Sequence, residues 1–313
     1  MKIKNPFGKQ STSAFQTIIV SFLCIILVGT LLLLLPFATK EGNTTTFFDA
    51  LFTSVSATCV TGLTVKDTAT HWTVFGQAVI LLLVQIGGMG VITISVGLVG
   101  LTGKKIGLRE RSIMQESISA PQLGGIVKFI GFIIKTTIVI EIIGTLLFLP
   151  VFCKEFGVVG IWYAFFHSIS AFCSSGFDLM GVRGEYSSLM AFADNIYMNI
   201  IFMALVSVGG MGFLTWEDIR EHKLRFKKYS LQSKVILIAS AVLIVVPALY
   251  FFIFEYTDVS MGKRVLYSLF HSVSARTAGF STTDFSAMSD SGKDVTIAMM
   301  LVSGSPGSTT GGM

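Results

Sequence analysis

The chain has 313 residues, of which 52% are hydrophobic and only 13% are charged, whereas soluble domains carry about 25% charged residues. This composition excludes a soluble domain, and the net charge of +5 does not indicate nucleic-acid binding, because the basic residues stand in short loops beside apolar runs. The four cysteines lack metal-ligand spacing and no CxxC or HExxH pattern occurs, so the sequence has no redox or zinc-enzyme signature.

Several charge-free segments are near or beyond the roughly 20 residues that a helix needs to cross a bilayer. The N-terminal one follows Lys2, Lys4 and Lys9 and is too long for a signal peptide, so it is predicted to be the first transmembrane helix. Another apolar span, 136–153, extends back to about 126 and contains Glu141, for which a functional role and an ion pair with Lys135 are both open. The charge-free segments are 10–39, 71–103, 195–216, 235–254 and 295–313.

One pattern occurs three times along the chain: Ser-x-Ser-Ala, a few residues, and then a glycine followed by a large apolar residue. The three copies cover 54–63, 168–177 and 272–280, and the third is one residue shorter. Gly-Gly-Met follows each copy, at 87–89, 209–211 and 311–313. The pattern predicts three repeats over 12–102, 125–218 and 231–313, separated by cytoplasmic segments at 1–11, 103–124 and 219–230.

The second repeat contains an uncharged stretch of 22 residues, 156–177, which could be taken for a spanning helix. If it crossed the membrane, the basic cluster at 220–234 would lie outside. If it re-enters, that cluster lies inside with the N-terminal lysines, as the positive-inside tendency favours. Each repeat is therefore predicted to be a leading helix, a re-entrant pore helix with its loop, and a trailing helix. The fold class is an all-α polytopic protein of the plasma membrane with a cytoplasmic N-terminus.

The glycine that ends each copy has a specific physical consequence. Non-helical backbone at membrane depth is tolerated only where protein buries it or where it lines a water-filled cavity. Glycine adopts positive φ, so the chain can aim its carbonyls at a common axis, where they replace the hydration shell of a monovalent cation. The negative end of the preceding helix favours a cation there as well. We therefore expect ion-binding carbonyls at Thr61, Gly62, Ser175, Gly176, Ala278 and Gly279.

The candidate selectivity filter comprises Thr58, Cys59, Val60, Thr61 and Gly62 in the first repeat, Cys173, Ser174, Ser175 and Gly176 in the second, and Arg276, Thr277, Ala278 and Gly279 in the third. A simpler alternative is that the small residues of the motif only permit close helix packing, but three copies in the same setting favour a filter. His167 and His271 are expected to cap or pack the short helices rather than to bind a metal or relay protons. Arg276 is expected to lie off the conduction axis beside an acid, and a Cys59–Cys173 disulfide is conceivable but disfavoured.

These motifs, together with Gly-Gly-Met-Gly in two copies and the run 304–312, make the chain resemble the Trk/Ktr/HKT superfamily of potassium transporters, most closely the bacterial Ktr membrane subunits. The resemblance implies four covalently linked repeats around a pseudo-fourfold pore, of which this chain carries three. It implies uptake of potassium by an ion-translocating subunit that needs no organic cofactor. Glycine rather than serine at Gly62 implies a preference for potassium over sodium.

The transported ion is accordingly expected to be potassium, with sodium as a second candidate or as a stimulating ion. A sodium-conducting relative stays open as an alternative in the same class, and a non-conducting membrane scaffold stays open in a different one. An intramembrane enzyme is disfavoured, because no nucleophile–base pair or metal cluster is evident in the sequence.

The run 304–312 cannot continue as a straight helix, because Pro306 lacks an N–H and four of the nine residues are glycine. It predicts a loop inside the membrane, with a plain helix kink as the alternative. The resemblance implies that this loop is a gate below the filter. Its residues are Gly304, Ser305, Pro306, Gly307, Ser308, Thr309, Thr310, Gly311 and Gly312.

The resemblance also implies partners. Members of the superfamily form homodimers on a cytosolic ring of nucleotide-binding regulatory subunits, and the basic loops 103–125 and 217–234 are the available docking surfaces. Attraction to anionic membrane lipids explains these loops equally well. Because a fourth repeat would lie beyond residue 313, we expect the chain to be truncated and unable to conduct alone.

Overall fold

The computed structural model describes residues 14–90, 125–223, 225–302 and 304–310. Within these ranges the chain consists of helices and loops with an isolated bridge between Thr39 and Trp72, which confirms the predicted all-α class. The helices are α1 (Ala14–Leu33), α2 (Phe47–Thr58), α3 (Thr68–His71), α4 (Val74–Met89), α5 (Ile126–Phe156), α6 (Val159–Phe172), α7 (Ile196–Gly209), α8 (Phe213–His222), α9 (Leu231–Phe254), α10 (Met261–Thr277) and α11 (Asp290–Leu301).

Three helices of the described chain are long and apolar enough to cross a membrane, and they are the leading helices α1, α5 and α9. Each is followed by a shorter helix, α2, α6 or α10, of 12, 14 and 17 residues. At 1.5 Å per residue these short helices are only about 18 to 26 Å long, less than the hydrocarbon core of about 30 Å. Each short helix packs against the leading helix of its own repeat and ends in a non-helical turn.

The trailing helix of the second repeat differs from the single span predicted over 195–216. It is broken into α7 and α8, whose axes differ by 96°. The break lies at the Gly-rich segment 209–212, where Gly212 has a φ of +83°, a conformation that only glycine adopts without strain. Gly90, which ends α4, has a matching φ of +81°. Three predicted segments lie outside the described residues: the rest of the segment 71–103, the loop 103–124 and the N-terminal segment 1–11.

An aromatic cluster at the centre of the second repeat forms the core of the described chain. Phe152 is fully buried on α5, and its ring lies 5.8 Å from Phe148, 5.7 Å from Phe192 and 5.0 Å from the His167 ring. The ring of Phe148 in turn lies 4.6 Å from that of Phe202 on α7, at an interplanar angle of 47°. Dispersion contacts of this kind position α6 between α5 and α7, because lipid supplies little hydrophobic force between membrane helices.

The loops after α2 and α6 are joined by one buried carboxylate, Asp67. It caps α3 by accepting the N–H groups of Ala69 and Thr70 at 2.9 Å each. Its second oxygen accepts the N–H of Tyr186, in the second repeat, at 3.1 Å. Asp67 therefore links the loop systems of the first two repeats through hydrogen bonds that water cannot readily replace.

Replacing Asp67 by alanine is expected to destabilise the fold. The change removes a helix cap and leaves buried N–H groups unpaired, at a cost of about 1–3 kcal/mol. The melting temperature of the purified full chain in detergent should therefore fall. Asp258→Ala, which removes an exposed carboxylate from another loop, should leave it unchanged. Equal melting temperatures for the two variants would contradict the assigned role of Asp67.

Candidate functional site

The three short helices end in the same backbone turn. In each, the main-chain carbonyl of the second serine of the Ser-x-Ser-Ala motif accepts a hydrogen bond. The donor is the main-chain N–H of the residue five positions later. The donors are Thr61 to Ser56 at 2.8 Å, Ser175 to Ser170 at 2.9 Å, and Gly279 to Ser274 at 3.2 Å. A bond of this span closes a helix and reverses the chain direction, as in a Schellman-type ending. Each turn therefore leads directly to the glycine of its motif.

The glycines after these turns all have left-handed backbone conformations. The φ angles are +78° at Gly62, +75° at Gly176 and +73° at Gly279. The first two repeats also hold a non-glycine residue at positive φ, Val60 at 55° and Ser174 at 53°. The third turn is one residue shorter and reaches its glycine without such a residue. All three glycines thus use the conformational freedom that distinguishes them from other residues.

The three turns meet at one place, with Gly176 in the middle. A Cβ atom added to Gly62 would lie 2.3 Å from the carbonyl oxygen of Ser175. One added to Gly176 would lie 2.9 Å from the carbonyl oxygen of Ala278, 3.5 Å from the Cα of Gly62 and 3.7 Å from the Cα of Gly279. Side chains are excluded at this point, and backbone carbonyls face the space between the turns. The arrangement offers oxygen ligands without fixed charge.

The other candidate filter residues flank this meeting point. Thr58 is the last residue of α2, and Arg276 and Thr277 belong to the last turn of α10, so these three are helical. The Arg276 guanidinium donates to the hydroxyl of Ser240 on α9 at 3.3 Å. Arg276 thus reaches toward the leading helix.

The two cysteines of the candidate filter have different surroundings. Cys173 is fully buried with its Sγ 3.8 Å from the Gln85 side-chain oxygen on α4. Cys59 is exposed, and both thiols are free, so the disfavoured disulfide is absent between them.

The first serine of each motif fastens the short helix to the leading helix of the same repeat. The Oγ atom donates to a main-chain carbonyl 27 or 28 residues upstream in every repeat. The pairs are Ser54 to Ile26 at 2.8 Å, Ser168 to Glu141 at 2.7 Å and Ser272 to Ile244 at 2.7 Å. The second serine of the later repeats holds the turn itself, because Ser170 and Ser274 donate to the carbonyls of Phe177 and Phe280. The sequence pattern did not reveal these hydrogen bonds.

Glycines on the neighbouring helices make these contacts possible. A Cβ on Gly29 or Gly144, on the leading helices, would lie 2.5 or 2.3 Å from the Oγ of Ser54 or Ser168. Glycines on the trailing helices allow the same close approach to the ends of the short helices. These are Gly87 and Gly209, the first glycines of the two described Gly-Gly-Met motifs. A Cβ on Gly87 would lie 2.1 Å from the carbonyl oxygen of the last residue of α2, and a Cβ on Gly209 would lie 2.0 Å from that of the last residue of α6. Aligning Gly29 with Gly144 across the repeats would have indicated the first pair from sequence.

Residues 304–310 form a loop after α11 and do not continue it as a kinked helix would. The Thr309 hydroxyl donates to the carbonyl of Phe172, the last residue of α6, at 2.8 Å. Ser305 donates to the carbonyl of Gly210 through both its N–H, at 3.2 Å, and its hydroxyl, at 2.8 Å. The loop is thus attached to the end of α6 and to the break between α7 and α8. Gly311 and Gly312 lie outside the described residues.

The intramembrane acid Glu141 is buried on α5, and its side chain lies beside that of Gln85 on α4. The proposed ion pair with Lys135 is not among the ion pairs of the described residues, and Lys135 is exposed on another face of the helix. Through Gln85, which also contacts Cys173, Glu141 lies in a polar cluster beside the second turn. It is a candidate for positioning that turn.

The two histidines before the motif have packing roles. His167 is fully buried, its Nδ1 lies 2.7 Å from the Tyr163 carbonyl and its Nε2 accepts the N–H of Leu179 at 3.2 Å. His271 Nε2 lies 3.0 Å from the Thr296 hydroxyl on α11. The described residues contain no group of three or more His, Cys, Asp or Glu that could hold a metal.

Asp178 is an acidic residue that directly follows the second turn and Phe177. Its carboxylate accepts the N–H of Met180 at 2.8 Å. Burial, with a smaller contribution from the negative charge of Asp67, raises the pKa of Asp178 to about 6. The group is therefore mostly ionised at neutral pH and becomes protonated as the pH falls below 6.

Comparison with known proteins places these features in a family. The model of the cation transport protein family TrkH matches residues 4–313. The potassium/sodium uptake protein NtpJ of Enterococcus hirae is 39% identical, over 100% of this chain and 69% of that protein. The Ktr system potassium uptake protein B of Bacillus subtilis is 35% identical, over 95% of this chain and 67% of that protein.

A solved structure has the same fold. The potassium transporter TrkH of Vibrio parahaemolyticus superposes with a TM-score of 0.71 at 20% sequence identity, covering 99% of this chain and 60% of that one. The chain therefore spans less than two thirds of the length of that transporter.

Replacing Gly209 by alanine is expected to separate α7 from the end of α6. The added methyl group would lie 2.0 Å from the carbonyl oxygen of Phe172, and overpacking of this kind costs about 1–3 kcal/mol. The melting temperature of the full chain in detergent should fall. Gly131→Ala is the matched control, because its Cβ meets no atom within 4 Å. A melting temperature for Gly209→Ala at or above that of Gly131→Ala would rule out the close approach.

Proposed function

This chain belongs to the TrkH family of cation transport proteins, and we propose that it is the ion-translocating part of a potassium uptake system in the plasma membrane. The observation that carries this proposal is the meeting of Gly62, Gly176 and Gly279 beside the carbonyls of Ser175 and Ala278. The names of the relatives support potassium, with sodium as a second ion. The ion is the substrate, and the proposed site requires no organic cofactor.

We propose that the turns act as a selectivity filter by replacing water around the ion. Carbonyl dipoles compensate the lost hydration of a monovalent cation without a carboxylate that would hold it too tightly. Helices α2, α6 and α10 end at the turns, so their negative dipole ends add a favourable potential. The ligands in this proposal are the carbonyls of Thr61 and Gly62 and their equivalents in the other repeats, Ser175, Gly176, Ala278 and Gly279.

The loop 304–310 supports a second element of the proposal, a gate on the inner side of the filter. Its Thr309 hydroxyl contacts the end of α6, and its Ser305 contacts the break after α7. A loop held by a few hydrogen bonds can move without disturbing the packed helices. We therefore propose that conduction requires displacement of this loop from the position beneath α6.

The proposed orientation puts the N-terminus and the basic segment 217–234 in the cytoplasm, following the positive-inside tendency. The second relative is named as one protein of a Ktr system, which supports a partner subunit. We propose that this partner is a cytosolic nucleotide-binding ring, that the transporter is a homodimer, and that the repeats extend over 12–102, 125–218 and 231–313. A four-repeat pore in the whole protein completes this proposal.

Replacing Gly62 by serine is expected to reduce the preference for potassium over sodium by about tenfold, equivalent to ~1.4 kcal/mol. The added Cβ would press on the Ser175 carbonyl at 2.3 Å and displace a proposed ion ligand. The measurement is competitive uptake of potassium and sodium by uptake-deficient cells that express the whole four-repeat protein of this proposal. Gly42→Ser is the matched control, since Gly42 has a φ of +85° but no atom within 4 Å of an added Cβ.

Two outcomes would count against the filter. Unchanged selectivity in the Gly62 variant would remove the first repeat from the ion path. A similar loss in the Gly42 variant would assign the effect to backbone strain rather than to ion coordination. If the unaltered protein fails to transport potassium or sodium in these cells, the non-conducting scaffold becomes the better interpretation.

Replacing Thr309 by valine is expected to loosen the proposed gate. The change keeps the side-chain shape and removes the hydrogen bond to the Phe172 carbonyl, a loss of about 1 kcal/mol. The resting rate of potassium uptake should rise about fivefold, because that energy favours the displaced loop. Thr145→Val on α5 is the control, because it removes a bond of the same kind, from the Thr145 hydroxyl to the Glu141 carbonyl at 2.8 Å, outside the proposed gate, and should leave the uptake rate unchanged. A Thr309 variant with an unchanged uptake rate would argue against gating by this contact.

A further inference from the structure

A groove on the outer side of α5, between this helix and α8, carries a concentration of positive charge. The groove has a volume of about 590 Å³, and three of its lining side chains are Lys128, Lys135 and Arg220. None of the described residues that line it is acidic, and all three cations are exposed. The ion filter and the loop 304–310 do not contribute to it. The groove is therefore a separate feature, and its charge indicates an anionic ligand.

The position of Lys135 along α5 places the groove at the edge of the bilayer. Between Lys135 and Lys154 lie 18 residues whose single charged member, Glu141, is buried toward α4. Eighteen helical residues span about 27 Å, close to the hydrocarbon thickness of about 30 Å. Lys135 therefore lies at the boundary between hydrocarbon and headgroups. Lys128, seven residues earlier, lies about 10 Å farther out, within the headgroup layer.

The same face of α5 continues into the membrane as an apolar surface. Residues seven and fourteen positions apart share a helix face, so Lys128, Lys135 and Ile142 are aligned. Ile142 is 53% exposed, and its neighbours Val139 and Leu146 are 46% and 59% exposed. This helix face therefore has a charged end and an apolar end. They match the charged headgroup and the apolar acyl chains of a phospholipid.

The side chains of the groove are available to a ligand. The ion pairs of the described residues involve other side chains, and none includes Lys128, Lys135 or Arg220. The guanidinium of Arg220 lies 4.8 Å from the centre of the Phe132 ring, a contact that holds it over α5. Glu217, one turn earlier on α8, interacts electrostatically with Arg220 but does not line the groove. A net positive groove remains.

We propose that this groove binds an anionic phospholipid. Its phosphate would lie between the two lysines and Arg220, and an acyl chain would follow Val139, Ile142 and Leu146. A lysine at the hydrocarbon boundary is within reach of a lipid phosphate but not of a cytosolic protein, which favours lipid over a regulatory subunit. Because Arg220 belongs to α8 and the lysines to α5, the bound headgroup bridges the two helices below the break that contacts the loop 304–310.

The test measures lipid retention by the full chain. The protein is purified in neutral detergent, exchanged into nanodiscs of phosphatidylcholine with a minor fraction of phosphatidylglycerol, and analysed by native mass spectrometry and by thermal melting. The wild-type protein should retain phosphatidylglycerol in preference to phosphatidylcholine and melt at a higher temperature when it is present. Each charge removed from the groove should lower the preference about fivefold.

The groove variant is Lys128→Gln, Lys135→Gln and Arg220→Gln combined. The matched control is Arg225→Gln, Lys227→Gln and Lys228→Gln combined, which removes the same charge from the neighbouring loop outside the groove. The groove variant should lose the preference while the control keeps it. Lys128→Gln alone changes one exposed side chain and should reduce the preference even if the triple variant folds poorly.

Several results would overturn the proposal. Equal losses in the groove variant and the control would indicate only diffuse surface charge. Stabilisation by inorganic phosphate equal to that by phosphatidylglycerol would identify a site for free phosphate instead of lipid. Unchanged lipid retention with lost co-purification of a regulatory subunit would identify a protein-docking surface. None of these measurements depends on ion transport, so the lipid site and the proposed filter succeed or fail separately.

Discussion

The described structure depends on the approach of three backbone turns to one another. At Gly62 and Gly176 there is no room for a Cβ, because the carbonyls of Ser175 and Ala278 fill the space where one would lie, and the Cα of Gly279 approaches Gly176 from the third turn. Such contacts require each turn to be held to within a few tenths of an ångström, because a shift of one turn would leave carbonyl dipoles facing each other without an ion or a hydrogen bond to compensate them. The helices around the turns supply that restraint.

The restraint comes from polar contacts made possible by missing side chains. One serine of each motif bonds the short helix to the leading helix, and in the later repeats a second serine bonds the residue after the filter glycine. Glycines opposite these groups let the backbones approach, as small residues do in membrane helix packing generally. In a membrane, where lipid competes equally for apolar side chains, short polar contacts between closely packed backbones position helices more exactingly than apolar packing does.

The broken trailing helix of the second repeat connects the turns to the rest of the chain. The break at Gly209–Gly212 accepts hydrogen bonds from the loop 304–310, and its far side continues into α8, which carries Arg220. The loop, the break and the cationic groove therefore form a continuous set of contacts from the end of α6 to the outer face of α5. A change at one end has a physical route to the other, through a segment already bent by 96°.

The sequence alone determined the features that depend on composition, periodicity and local conformation. Charge-free runs and one run interrupted only by Glu141 predicted the leading helices. Three copies of one motif predicted three similar turns, and the glycine that ends each copy predicted the positive φ found at Gly62, Gly176 and Gly279. The proline and glycines of 304–312 likewise predicted a loop, because their effect on the backbone is local.

Only the tertiary structure decided which partners these residues have. Ser168 and the Glu141 carbonyl are 27 residues apart, and Thr309 and the Phe172 carbonyl are 137 apart, so neither pair follows from local pattern. The break within 195–216 and the contact of Arg276 with Ser240 likewise depend on how the helices face one another. Local sequence sets backbone preference, whereas hydrogen-bond partners are set by the packing of distant segments, whose orientation no local pattern encodes.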